Sequence, residues 1–345
     1  MPEKGQYPGL DAMKFLMAGM VVLLHTSPVF DAPLPNLLVR EGLARVAVPF
    51  FFIASGYLLF GRMSAGEVDL GRVRRYVLRI MRVYAVWVII YLPFILQIYG
   101  RDIEIYGGLA GWVWYFFMPG YMHLWFLAAL VLAIMLLAAL RRKGWGFRRI
   151  LLLGFCLYLP ALWGCAYYGA FAAMFPQFLH DEALMKSLYI LFGNPRNGLT
   201  MGFFYVSLGA ALAARRPRLG KRVLLSLSGI ALLFLLAEIA LVDSLGWLRD
   251  GDASLCLVPA AVSVFLLSLK LRLPWLRTER FLWLRKLSML VYCLHFAFFL
   301  LLLHGPWPAA RSGPALFLLT AAASLSVAAV IVLLGRRIRF LRWLM

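Results

Sequence analysis

Polar surface is what this chain has least of. Of its 345 residues only 14% are charged, and acidic side chains number 15 against 35 basic ones. With 63% of its residues hydrophobic, the chain has too little polar area to close around a water-soluble core, so its solvent must be lipid. Cysteine is scarce as well: Cys156, Cys165, Cys256 and Cys293 lie in or beside apolar runs, without a CxxC pair or metal-ligand spacing, and read as small core residues. None of the five histidines stands in an HExxH arrangement and no GxSxG elbow occurs, which removes a zinc hydrolase and that class of serine hydrolase; no metal is expected. The first apolar run, Leu10 to Leu24, is followed by His25 and Thr26 instead of a small-x-small cleavage site, and reads as an uncleaved first helix.

What is there in abundance is long apolar segments. A helix rises about 1.5 Å per residue and needs about 20 largely apolar residues to cross the hydrocarbon core. Ten runs approach that length: Leu10 to Phe30, Leu43 to Phe60, Val83 to Tyr99, Leu124 to Leu140, Ile150 to Gly169, Leu199 to Ala214, Val223 to Val242, Ala253 to Leu269, Leu287 to His304 and Ala315 to Leu334. The expected fold is therefore all-α, a polytopic membrane protein with about ten transmembrane helices. It forms one membrane-embedded domain over residues 1–345, because no loop is long enough for a soluble one.

The basic residues fall in clusters after the even-numbered spans: around Arg62 to Arg82, Arg141 to Arg149, Arg215 to Arg222, Lys270 to Lys286, and in the tail from Arg336 to Arg342. Cytoplasmic loops retain Lys and Arg during insertion, so both termini are expected in the cytoplasm. Asp31, Glu41, Asp102, Glu104, Asp181, Glu182, Asp250 and Asp252 lie on the opposite face and agree with that orientation. Basic clusters between apolar runs point to membrane lipids as partners, and no groove-reading pattern points to nucleic acid. Aromatic-rich gaps at Tyr106 to Pro119 and Phe171 to Pro195 are candidates for interfacial or re-entrant helices.

An ionisable side chain inside a span is costly and marks a candidate site. Lys14 and His25 share the first helix; eleven residues is close to three turns, which sets them on one face about 16 Å apart. Lys14 alone would read as a snorkelling anchor and His25 as a hydrogen-bonded core residue, but together they outline a polar path. Arg45 opens the second span, where Pro49 should free a carbonyl one turn earlier and Gly56 permits close helix approach. Arg45 either holds a carboxylate or meets headgroups. Arg72, Arg75, Arg79 and Arg82, three and four apart, form a cationic stripe suited to phosphate or to a plain cytoplasmic border. Further along come His123 and Trp125, then Arg196 before the sixth span. Ser288, Tyr292 and His295 follow as a stripe on the ninth, where the bland reading is interhelical glue, and Glu238 is an intramembrane carboxyl.

These residues resemble the acyltransferase-3 family of integral membrane O-acyltransferases over nearly the entire chain. Asp11, Lys14 and His25 look like the family's first helix, and Arg45, Val48, Pro49, Phe50, Phe51, Ser55, Gly56 and Tyr57 like its second-helix motif. Arg79, Arg82 and Tyr84 stand where the family has its basic entry to the third span. His123, Trp125, Phe126 and Leu127, then Ser288, Tyr292, Leu294 and His295, match later motifs. One departure is Lys14, where many members carry Arg: the charge is kept and the two-pronged geometry lost.

The resemblance implies transfer of an acyl group, commonly acetyl, from cytoplasmic acyl-CoA (acetyl-CoA or another) to a hydroxyl of a cell-surface glycan or small molecule, in a bacterial inner membrane. His25 would be the general base. Lys14, Arg72, Arg75, Arg79 and Arg82 would hold the donor, while Asp11, Arg45, Ser55, His123, Trp125, Arg196, Ser288, Tyr292 and His295 would shape the pocket. The same polar path suits a different class of protein, a transporter, flippase or membrane substrate-binding module that performs no acyl transfer. A glycerolipid acyltransferase fits less well, because it wants Asp five residues after the histidine and that position is Phe30.

Overall fold

A polypeptide in hydrocarbon must satisfy its N–H and C=O groups along its own chain. The computed structural model describes residues 7–63, 68–99, 122–177, 196–273, 278–308 and 311–345, and all regular structure among them is helical. We number the principal helices α1 (Pro8–Thr26), α2 (Ala47–Phe60), α3 (Leu70–Tyr99), α4 (Trp125–Arg142), α5 (Phe147–Gly164), α6 (Phe203–Arg215), α7 (Lys221–Ser244), α8 (Leu257–Lys270), α9 (Thr278–His304) and α10 (Gly313–Leu334). Nine helical stretches among the described residues are long and apolar enough to cross a membrane. Only the eighth expected span falls short: α8 has 14 residues. The segment expected at Tyr106 to Pro119 lies outside the described residues, as does most of Phe171 to Pro195, whose beginning is seen within a short helix, Tyr168–Met174.

Local chemistry explains several boundaries. Thr26 ends α1 by returning its hydroxyl to the Val22 carbonyl at 2.9 Å, and Pro28 follows, which cannot donate to a continuing ladder. Before α2 the chain passes through a wide turn at Leu38–Gly42 and a tight one at Leu43–Val46. That irregular stretch ends three residues before Pro49, which sits in the first turn of α2, where a missing N–H costs little. At α3, the Asp69 carboxylate accepts the Arg72 N–H at 2.9 Å and caps the helix. As a result α3 begins thirteen residues before the expected Val83, and its 30 residues extend about 45 Å.

The helices gather into two units. The first comprises Met1–Phe51, Arg218–Ser244 and Ser254–Met345. In it α1 packs on α9, α9 on α10, and α7 on α8. Asp11 meets Arg285 and His25 meets His295, so α1 and α9 run parallel. Glu238, within α7, serves α8 directly: its carboxylate accepts the N–H groups of Leu255 at 2.8 Å and Cys256 at 2.7 Å, just ahead of that helix. An acidic side chain there compensates unpaired donors at a helix N-terminus and is itself compensated by them.

The second unit comprises Phe52–Pro217 and Leu245–Ala253. Its core is aromatic, built on Trp87, Tyr91, Tyr158, Phe203 and Tyr205, all fully buried. The Tyr158 and Tyr205 hydroxyls hydrogen-bond each other at 3.1 Å, which lets two polar atoms sit in apolar surroundings. Here α2 and α6 touch backbone to backbone. A Cβ on Gly56 would fall 2.1 Å from the Val206 carbonyl oxygen, and one on Gly209 would fall 2.0 Å from that of Ile53. Close approach through small residues is how helices associate in lipid. Gly209→Leu is therefore expected to cost about 3 kcal/mol through overpacking against backbone that cannot yield. The check is a lower thermal midpoint of the detergent-purified protein; an unchanged midpoint would refute the contact. The periphery of the bundle is apolar: Ile89 and Leu233 are each 67% exposed, a surface that lipid covers.

Candidate active site

Within the first unit, α1 and α9 assemble most of the polar residues expected there. At one end the Asp11 carboxylate, 3% exposed, is gripped by Arg285 through both prongs, Nε to Oδ1 at 3.1 Å and Nη2 to Oδ2 at 2.8 Å. Half-buried Lys14 follows one turn along α1. At the other end the His25 ring lies 5.1 Å from the His295 ring and 5.5 Å, edge-on, from Phe296. His295 is fully buried, and its Nδ1 stands 2.7 Å from the Tyr292 carbonyl. A carbonyl only accepts, so Nδ1 carries a hydrogen there. Ser288 donates to the Arg285 carbonyl at 3.0 Å, one turn back on its own helix.

Arg45 belongs to this unit as well, and it holds a carboxylate. Its Nε and Nη2 both reach Glu41 Oε2, at 3.0 and 2.5 Å, and both residues are buried. Two buried charges persist in low dielectric only when paired in this way.

The remaining candidates lie in the second unit. Arg72, Arg75, Arg79 and Arg82 stand on continuous helix in α3, and the last three are exposed. Accepting the Arg72 N–H, beside the Arg72 and Arg75 charges, holds the Asp69 carboxyl below its usual range. Arg79 lies over the Tyr76 ring at 5.2 Å, and the Tyr76 hydroxyl shares hydrogen bonds with Arg79 and Ser55. His123 is buried edge-on to Tyr91 at 5.1 Å. Trp125 leans on Phe52 with ring centres 6.2 Å apart. Arg196 pairs with Asp252 at 2.7 Å, and Asn197 next to it caps the turn Gly198–Gly202 by accepting from Leu199 and Thr200.

Arg285 is the residue the sequence reading missed. The sequence pattern puts it in a basic loop, whereas α9 begins nine residues before the expected Leu287 and places Arg285 on the helix facing Asp11. The available signal was its i, i+3 spacing to Ser288, which continues the Ser288, Tyr292, His295 stripe by one turn.

A family model described as an acyltransferase domain matches residues 7–334. The chain belongs to the acyltransferase-3 family. Among curated proteins this acyltransferase-3 chain is similar to an amino-acid racemase of Enterococcus faecalis, 27% identical over 296 residues, which is 83% of this chain and 40% of that protein. It is 29% identical over 297 residues to a serine/alanine racemase of Enterococcus gallinarum, again 83% of this chain and 40% of the relative. The acyltransferase-3 chain thus spans about two fifths of the length of these relatives. No solved structure matches it significantly. Among the described residues no three His, Cys, Asp or Glu side chains are grouped as a metal site would require. The chemistry on offer in this acyltransferase-3 chain is an imidazole pair at one end of α1 and a carboxylate-braced guanidinium with a lysine at the other.

Proposed function

We propose that this protein moves an acyl group, acetyl by preference, from acyl-CoA on the cytoplasmic side of a bacterial inner membrane to a hydroxyl of a cell-surface glycan or small molecule. The observation that carries the reading is α1 itself, which bears Lys14 beside the Asp11–Arg285 pair at its basic end and His25 against buried His295 at the other. With the basic loops inside, both termini are cytoplasmic.

In the proposed step His25 removes the acceptor hydroxyl proton as the oxygen attacks the thioester carbonyl. The tetrahedral adduct then collapses, the carbon–sulfur bond breaks, and the CoA sulfur takes that proton from the imidazolium, leaving an ester and free CoA. Lys14 in the first unit is a group that holds donor phosphate, and the exposed guanidinium groups of α3 in the second unit are of the same kind, since charge-assisted hydrogen bonds to phosphate are strong.

Acetyl-CoA binding tests the donor assignment. A ligand that binds only folded protein stabilises it by about 2.7 kcal/mol at a hundred times its Kd. A saturable upward shift of the thermal midpoint is expected for wild type and should shrink strongly in Lys14→Ala and in Arg82→Ala. No shift in folded wild-type protein would remove acyl-CoA as donor.

A second reading is favoured by the relatives. Racemases that devote two fifths of their length to this region point to a membrane module that binds or passes an amino acid such as serine or alanine. Saturable serine or alanine binding without acceptor-dependent CoA release would establish that module. CoA release that requires an acceptor would exclude it.

A further inference from the structure

Among the described residues of the first unit, carboxylates pair with arginines at Glu41, which meets Arg45 and Arg40, and at Asp11, which meets Arg285. Arg45 and Glu41 are both sealed, their side chains 6% and 10% exposed. In the other pair Asp11 is sealed at 5% while the Arg285 side chain is 50% exposed. Arg40, 52% exposed, also meets Glu41 at 3.2 Å, and that cluster is local to one stretch of chain. Asp11 and Arg285 bury the carboxylate and present the guanidinium between two helices, α1 and α9.

Asp11 takes up Nε–H and one N–H of Nη2, which leaves three of the five guanidinium hydrogens on the exposed edge. The carboxylate therefore fixes the plane of the fork without occupying its outer face. The surroundings at this end are cationic. Lys14 is one turn along α1, and Lys286 is the next residue on α9. The end of α8 that carries Lys270 abuts the start of α1, where a Cβ on Gly9 would fall 2.5 Å from Leu271. Arg336 stacks on Trp283, two residues before Arg285, at 5.4 Å. Among the described side chains at this end Asp11 is the single carboxylate, and it is already spent on Arg285. A planar fork with a flanking ammonium in a field of like charge matches a phosphate group, which a guanidinium binds through two parallel bonds.

We propose that Arg285, held by Asp11 and flanked by Lys14, is a phosphate-binding site at the basic end of α1 and α9. Its ligand is a phosphate ester or anhydride, carried either by the acyl-CoA donor or by an anionic lipid headgroup. The first source rests on the acyl-transfer reading and the second does not. Arg285 binds the ligand and Asp11 is a positioning residue.

The test uses the full chain in detergent, titrated calorimetrically with acetyl-CoA and with inorganic pyrophosphate, and melted in nanodiscs of phosphatidylglycerol or of phosphatidylcholine. Arg285→Lys keeps the pairing charge and loses the fork. The double variant Asp11→Asn/Arg285→Gln removes both charges together, so no carboxylate is stranded and the ligand-free fold is retained. Both variants are expected to bind pyrophosphate at least tenfold more weakly than wild type. A parallel loss for acetyl-CoA identifies the donor as the source, and loss of extra stability in phosphatidylglycerol identifies the headgroup. Pyrophosphate binding lost in the variants, with no acetyl-CoA binding by wild type, keeps this site and removes the donor reading. Wild-type responses to all three probes in both variants overturn the site and leave the donor reading standing.

Discussion

Replacing His25 with Ala or Gln is expected to abolish acceptor-dependent release of CoA, with a loss of about a hundred- to ten-thousandfold from removal of a positioned general base. Gln retains polarity and approximate length, so its failure would separate proton transfer from simple hydrogen bonding. The neighbourhood supports a clean result. His25 is only partly buried, and it meets His295 and Phe296 through ring faces and edges rather than as the centre of a packed core. Both variants should therefore keep a wild-type thermal midpoint and elution volume. Free thiol released from the donor, read in the presence and absence of acceptor, gives the rate. Turnover at the wild-type rate by either variant would sink the general-base assignment.

The second large effect concerns stability. Arg45→Ala would remove the buried partner of the Glu41 carboxylate, which is 7% exposed and keeps Arg40 at 3.2 Å; breaking a buried pair from one side costs up to about 3–5 kcal/mol. A marked fall in the thermal midpoint is expected. The double variant Glu41→Leu/Arg45→Met puts apolar groups of similar size in place of both charges and should recover most of the loss, because no uncompensated ion is left. Recovery of stability together with normal acyl transfer assigns the pair to the architecture alone. Recovery of stability without activity would place Arg45 against a ligand, as the family resemblance implies.

These cases show how far the residues could be read before the fold was seen. The ten apolar runs were legible because a backbone in lipid has to close its hydrogen bonds locally, and helical periodicity follows from local spacing. The Lys14–His25 face and the alignment of Arg72, Arg75, Arg79 and Arg82 were legible for the same reason, since residues three or four apart on a helix share a side. The reach of α3 before its apolar portion was harder to see, because Asp69 caps a segment that hydropathy alone reads as a loop.

What the sequence by itself determined is the all-helical, lipid-facing class, nearly every span, the basic borders and the shared face of Lys14 and His25 on α1. Only the tertiary structure decided that Asp11 pairs with Arg285 across 274 positions of chain, that His25 faces His295, that Glu41 holds Arg45 and that Glu238 caps α8. The physical reason lies in the solvent. In water, the burial of apolar faces selects which helix sides meet; in lipid the surroundings are as apolar as the core, so neighbours are chosen by close packing at residues such as Gly56 and Gly209 and by the few polar groups that must find one another.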